Sequence, residues 1–204
     1  MTDTPFDSTH PSLLVRLRDA QDAEAWRLFV ATYAPLVYGA CRREHLQDAD
    51  AADVAQDVMV QVARTMRTFE YDRGRGRFRD WLWTVTRHRI TRFQAKMNQE
   101  RAVRTSEGAD ALLMCTMTPD PEWIAEFNAQ VLRVALERVR PLFEAATWHA
   151  FERTWSQDQP PLEVAAELGL PIEGIYAARS RVLKRLREEI LLLAEDVPEF
   201  VPLR

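Results

Sequence analysis

Four arginines, Arg73, Arg75, Arg77 and Arg79, stand at alternate positions around Gly74 and Gly76, and Phe78, Trp81 and Trp83 follow closely. Cations neutralise phosphates, and aromatic rings stack on unpaired bases for roughly 1–3 kcal/mol each, so this mixture suits a single-stranded nucleic acid. The segment beyond it has helical periodicity. Leu82, Thr86, Ile90, Phe93 and Met97 form an apolar stripe, while Arg77, Trp81, Thr84, His88 and Arg92 form a second stripe able to track a strand. The candidate strand-binding residues are therefore Arg75, Arg77, Phe78, Trp81, Thr84, His88 and Arg92. Arg87, Arg89 and Lys96 raise the local charge further. At least one of Phe78, Trp81 and Trp83 is expected in the core, and the sequence leaves open which.

A second pattern lies between Glu163 and Leu186. Val164, Ala165 and Leu168 share a helical face, Gly169 supplies a turn, and a longer helix starts near Pro171. On that helix Ile172, Ile175, Ala178, Val182, Leu186 and Ile190 share one stripe, with Glu173, Tyr176, Ala177, Ser180, Lys184 and Arg187 on the other side. A bihelical unit with a polar, basic outer face is what a DNA major groove accepts. A helical hairpin with a solvated basic face is the plainer alternative. A third pattern runs from 50 to 69. Ala51, Ala55, Val58, Val62, Met66 and Phe69 form a core stripe, and Asp53, Gln56, Asp57, Val60 and Arg64 fall opposite. An apolar Val60 framed by carboxylates, an amide and a guanidinium suits protein docking, with a solvated acidic face as the alternative.

These three patterns need helices to hold them. The chain has 204 residues, 47% hydrophobic, with only 6 glycines, and alternating strand patterns are almost absent. It reads as all-α, with helices over 12–20, 22–44, 50–69, 77–98, 122–140, 142–155, 161–168 and 172–193. A polar, proline-closed stretch separates the fifth helix from the fourth. The reading is two small helical domains, 10–98 and 122–194, joined by a linker over 99–121 and followed by a tail over 195–204. The acidic, apolar tail is expected to pack on the second domain or meet a partner.

Composition narrows the function. A net charge of −4 is unusual for a protein that binds nucleic acid unaided, which implies weak binding until a partner assists. Cys41 and Cys115 are isolated, and no disulfide framework follows, consistent with a reducing cytoplasm. Cys41 and His45 sit one helical turn apart, but no second ligand pair accompanies them, so no metal site is expected. There is no phosphate-binding glycine loop and no nucleophile with a base, and Asp53 and Asp57 lack further metal ligands; an enzyme and a cofactor are not expected. No signal peptide and no membrane span are read, so the expected location is cytoplasmic.

With these residues in view, the chain resembles an extracytoplasmic-function (group IV) sigma factor of the sigma-70 family over nearly its whole length. Asp53-Val-Ala-Gln-Asp-Val-Met-Val-Gln-Val resembles the region 2 helix that binds the β′ clamp helices of bacterial core RNA polymerase. Phe78-Arg-Asp-Trp-Leu-Trp-Thr-Val-Thr-Arg-His-Arg-Ile resembles the segment that melts and reads the minus-ten element. Trp26 to Tyr38 resembles the family's first helix. The carboxy-terminal unit resembles region 4, which reads the minus-thirty-five element as duplex and touches the β flap; Ile175-Tyr-Ala-Ala-Arg-Ser-Arg-Val matches its recognition helix.

The resemblance implies a non-enzymatic initiation factor. Asp53, Gln56, Asp57 and Val60 would meet polymerase, and Tyr176, Ser180, Arg181 and Lys184 would meet duplex DNA. Promoter DNA and core polymerase are the implied partners. The regulator stays open between an anti-sigma protein, a kinase and the tail. The alternative is an independent helix-turn-helix regulator, which predicts tight duplex binding without polymerase and a symmetric dimer. A strand-binding aromatic segment has no role in such a protein.

Overall fold

In the computed structural model the described residues are 12–66, 77–101 and 118–194. Eight α-helices occur among them and no strand. They are α1 (Leu13–Arg16), α2 (Ala23–Arg43), α3 (Asp48–Met66), α4 (Phe78–Arg101), α5 (Pro121–Val139), α6 (Ala145–Phe151), α7 (Pro161–Leu168) and α8 (Ile172–Ala194). The chain forms two compact bodies, one from Leu13 to Gln130 and the other from Val131 onward. Arg73, Arg75, Phe69, Cys115, most of the 99–121 linker and the tail lie outside the described residues.

In the first body, α1 stops short of the expected 12–20 helix because Asp19 bends the chain, its carboxylate accepting the Gln21 N–H at 2.8 Å. The next helix begins at a side-chain cap. Asp22 accepts the Ala25 N–H at 2.9 Å and holds Arg16 through bonds of 2.8 and 3.0 Å. Along α2, Phe29, Tyr33, Leu36, Val37 and Ala40 recur at helical spacing and are buried. The helix ends in a Schellman turn. His45 sits at φ 63°, Leu46 N–H reaches the Cys41 carbonyl at 3.2 Å, and His45 N–H reaches that of Arg42 at 3.0 Å.

The stripe predicted on α3 is buried at Ala51, Ala55, Val58, Val62 and Met66, and Val54 joins it. On α4, Phe78, Leu82, Trp83, Thr86 and Ile90 are buried. The hydroxyl of Thr86 donates to the Leu82 carbonyl at 2.8 Å, which satisfies it inside the core. Phe29, Tyr33 and Phe78 meet as a ring cluster with centroids 4.9–6.1 Å apart. Each such ring, fully buried, contributes roughly 1.5–3 kcal/mol.

The head of α5 also belongs to this body. Asp120 caps it, accepting the Trp123 N–H at 2.6 Å. Trp123 is fully buried, its ring 5.1 Å from that of Trp83, and Phe127 stacks on Tyr33 at 5.5 Å. Gln130 Nε2 donates to the Thr32 carbonyl at 2.8 Å, and Arg43 pairs with Glu122 and Glu126. The division between bodies therefore falls after Gln130, inside α5, rather than at the start of that helix.

The second body takes Val131, Val134, Ala135 and Val139 of α5 into its core. The expected helix over 142–155 is divided. Arg140–Leu142 is a 3₁₀ turn containing Pro141, Glu144 is extended, and α6 passes into a π-turn at Glu152–Ser156. There the Thr154 hydroxyl donates to the Ala150 carbonyl at 2.7 Å and competes with the regular ladder. Ala150, Val164, Ala165, Ile175 and Ala178 pack together, with Leu168, Leu170 and Ile172 against them. Gly169 has φ 63°, and Leu170 N–H reaches the Ala165 carbonyl at 3.0 Å, so the turn uses the left-handed backbone that glycine favours.

Candidate functional site

The α3 stripe read as a docking face points to solvent. Its inward residues anchor the helix, and Asp53, Gln56, Asp57 and Val60 are all exposed, Val60 at 41%. The helix is fixed against α4 by Arg89, whose Nη2 donates to Gln61 Oε1 at 2.6 Å. This leaves an acidic face with the large aliphatic side chain of Val60 exposed in its midst.

On α4 the aromatic residues separate. Phe78 is 1% exposed and Trp83 is 7% exposed, so both are core rings and neither is placed to stack on a base. For Phe78 this corrects the strand-binding expectation: its ring is held edge-on by Phe29 and Tyr33. Trp81 is half-buried, its ring 5.6 Å from Phe78. Thr84 is also half-buried, its hydroxyl donating to the Asp80 carbonyl at 2.9 Å. Arg77, His88 and Arg92 are exposed, and Arg75 lies outside the described residues. Arg77, Trp81, Thr84, His88 and Arg92 thus keep the spacing of one stripe.

The cations near that stripe are not equivalent. Arg79 is buried, with Nε 2.9 Å from Asp80 Oδ1. Arg87 pairs with Glu44, and Arg89 is committed to Gln61. Arg77, Arg92 and Lys96 are the cations of this helix that lie exposed beside the stripe. Spacing alone could not separate these from the arginines that bind helices together.

On α8 the outcome is simpler. Ile175, Ala178, Val182, Leu186 and Ile190 are buried, and Ile172 is partly buried. Tyr176, Ser180, Arg181 and Lys184 are exposed, with Tyr176 at 53%. The far end is secured by Glu189, 4% exposed, which pairs with Arg138 and lies 3.9 Å from Arg185. Its burial is compensated by those two guanidinium groups.

No group of metal-ligating side chains forms among the described residues. Cys41 is buried, and desolvation pushes its thiol up to about 11. No described helix is long and apolar enough to cross a membrane. Trp123, buried against α4, is a residue that the sequence reading did not single out. The signal was present: Trp123, Phe127 and Gln130 fall at successive helical turns, and all three engage the first body.

The family profile described as Sigma-70 region 2 matches residues 29–99, which takes in most of α2 and all of α3. Its span also covers nearly all of α4. A curated relative, the ECF RNA polymerase sigma factor RpoE of Cereibacter sphaeroides, is 27% identical over 190 residues. That likeness covers 93% of this chain and 99% of the relative. The matched region coincides with the helices that carry the acidic face and the strand-spaced stripe, and the two likenesses together support an extracytoplasmic-function factor of the sigma-70 family.

Proposed function

We propose that this chain acts as an alternative sigma factor: it joins core RNA polymerase, selects promoters and opens them for transcription initiation. The acidic face of α3, with Asp53, Gln56, Asp57 and Val60, meets the β′ clamp helices. Arg77, Trp81, Thr84, His88 and Arg92 follow the displaced strand at the minus-ten element, with Arg75 in the preceding segment. Tyr176, Ser180, Arg181 and Lys184 enter the major groove at the minus-thirty-five element, and the second body touches the β flap. An anti-sigma protein is a fitting regulator.

The observation that carries this reading is the pairing of two unlike faces in the first body. One helix offers carboxylates and an aliphatic residue, and the neighbouring helix offers cations and a half-buried indole. The first cannot attract DNA, and the second needs unpaired bases for its ring. Extruding a base costs a few kcal/mol, which stacking on Trp81 and phosphate contacts partly offset. The net charge of −4 fits a factor whose DNA surfaces are individually weak and act when polymerase tethers them together. No catalytic group takes part.

Capture on bacterial core polymerase tests the docking assignment. Wild type is retained, and Asp53→Ala/Asp57→Ala binds about tenfold more weakly or worse. Equal retention of both proteins would move the docking surface away from α3.

A further inference from the structure

The geometry points to Trp123 as a positioning residue for promoter opening: from α5, it fixes the first turn of α4, the turn that presents Arg77 and Trp81 to the displaced strand. The inference rests on the strand-binding reading of α4 and adds to it a residue beyond the matched region.

The first turn of a helix is its loosest part, because its leading N–H groups have no partner within the helix. In α4 that turn carries the strand-facing residues. Asp80 and Trp81 N–H both return to the Arg77 carbonyl, at 3.0 and 3.1 Å, so the place of Arg77 depends on the turn staying closed. Trp123 secures it from outside. Its Nε1 donates to the Arg79 carbonyl at 3.3 Å, its ring lies 5.1 Å from Trp83, and it is fully buried.

The indole is itself held at both ends. Asp120 caps the start of α5 at 2.6 Å, and Gln130 ties the helix to Thr32 at 2.8 Å further along. Glu122 and Glu126 flank it and pair with Arg43. On α4, Arg79 and Trp83 face Trp123, while Trp81, Thr84 and His88 follow a different stripe. Trp123 therefore supports the reading face from behind and does not cover it. A preset turn lowers the ordering cost of capturing a base, which is where such support acts.

Trp123→Phe tests this, since it keeps a ring and removes the N–H donor. Holoenzyme is reconstituted from core polymerase and full-length protein on a promoter selected by wild type from random duplexes. Opening is read by permanganate reactivity on duplex and on pre-melted templates. The variant opens the duplex about fivefold less, the effect of one lost hydrogen bond, while the pre-melted template and core capture are unchanged. Phe127→Leu, which disturbs packing on Tyr33 but not the Arg79 bond, lowers thermal stability without a duplex-specific defect. Wild-type opening by Trp123→Phe, or equal loss on both templates, overturns the inference. If wild type itself opens no duplex while joining polymerase, the strand-binding reading falls and this inference with it.

Discussion

The two helices proposed to carry the nucleic-acid faces are built differently. Of their opposing faces, α8 buries Ile175, Ala178, Val182 and Leu186 and leaves Tyr176, Ser180, Arg181 and Lys184 in solvent. By contrast, α4 is approached by both α3 and the head of α5: Arg89 reaches Gln61 on one helix, and Trp83 meets Trp123 on the other. Two of its three leading aromatic residues are core, Trp83 against Trp123 and Phe78 against Phe29 and Tyr33 of α2. A helix packed along one stripe displays its function in its periodicity. A helix packed on several sides mixes support and function among residues of the same type.

The sharpest way to break this contrast is to truncate one aromatic side chain on each helix. Phe78→Ala empties a fully packed site and lowers stability by about 3–5 kcal/mol in chemical denaturation. Tyr176→Ala changes stability by no more than about 0.5 kcal/mol but weakens holoenzyme binding to the minus-thirty-five duplex about tenfold. Similar stability losses for both would erase the distinction between a core ring and a reading ring.

A smaller effect separates the two left-handed turns. Gly169 and His45 both have φ 63°, and a Cβ at Gly169 would meet nothing within 4 Å. Gly169→Ala therefore incurs backbone strain alone, about 1–2 kcal/mol. His45→Gly relieves the same strain but frees the unfolded chain, for a net gain of roughly 0.5 kcal/mol. Thermal melts of the two variants, shifting in opposite directions, check this.

The smallest effect concerns pH. Arg16's hydrogen bonds, and then the Ala25 N–H, hold the Asp22 carboxyl below the usual carboxylate range. A folded-state pKa below the unfolded one contributes stability above the ordinary carboxylate pKa, and that contribution is lost as pH falls through the folded value. Asp22→Asn keeps a capping oxygen but removes the charge. Its melting temperature should fall less steeply than that of wild type below about pH 4. Parallel slopes would remove Asp22 from the acid response.

The sequence made α8 and α3 legible because their apolar stripes were unbroken, and it marked Gly169 because a turn between packed helices needs that backbone. It did not separate Arg79, Arg87 and Arg89 from Arg77 and Arg92, since a buried or half-buried guanidinium beside Asp80, Glu44 or Gln61 looks the same in a list of residues as an exposed one. The boundary in α5 was hidden for a related reason. A periodic stripe states that a face is buried, not which body buries it, and α5 changes partner after Gln130. The α6 break was equally local, set by Pro141, Glu144 and the Thr154 back-bond.

Transcription from random duplexes with bacterial core polymerase, with and without this protein, followed by sequencing of the transcript starts, decides whether the protein works as a sigma factor. A sigma factor yields starts that require the protein and lie downstream of a shared two-part element. Tight binding of the protein alone to duplex DNA, with no protein-dependent starts, would contradict that role and identify a free-standing helix-turn-helix regulator.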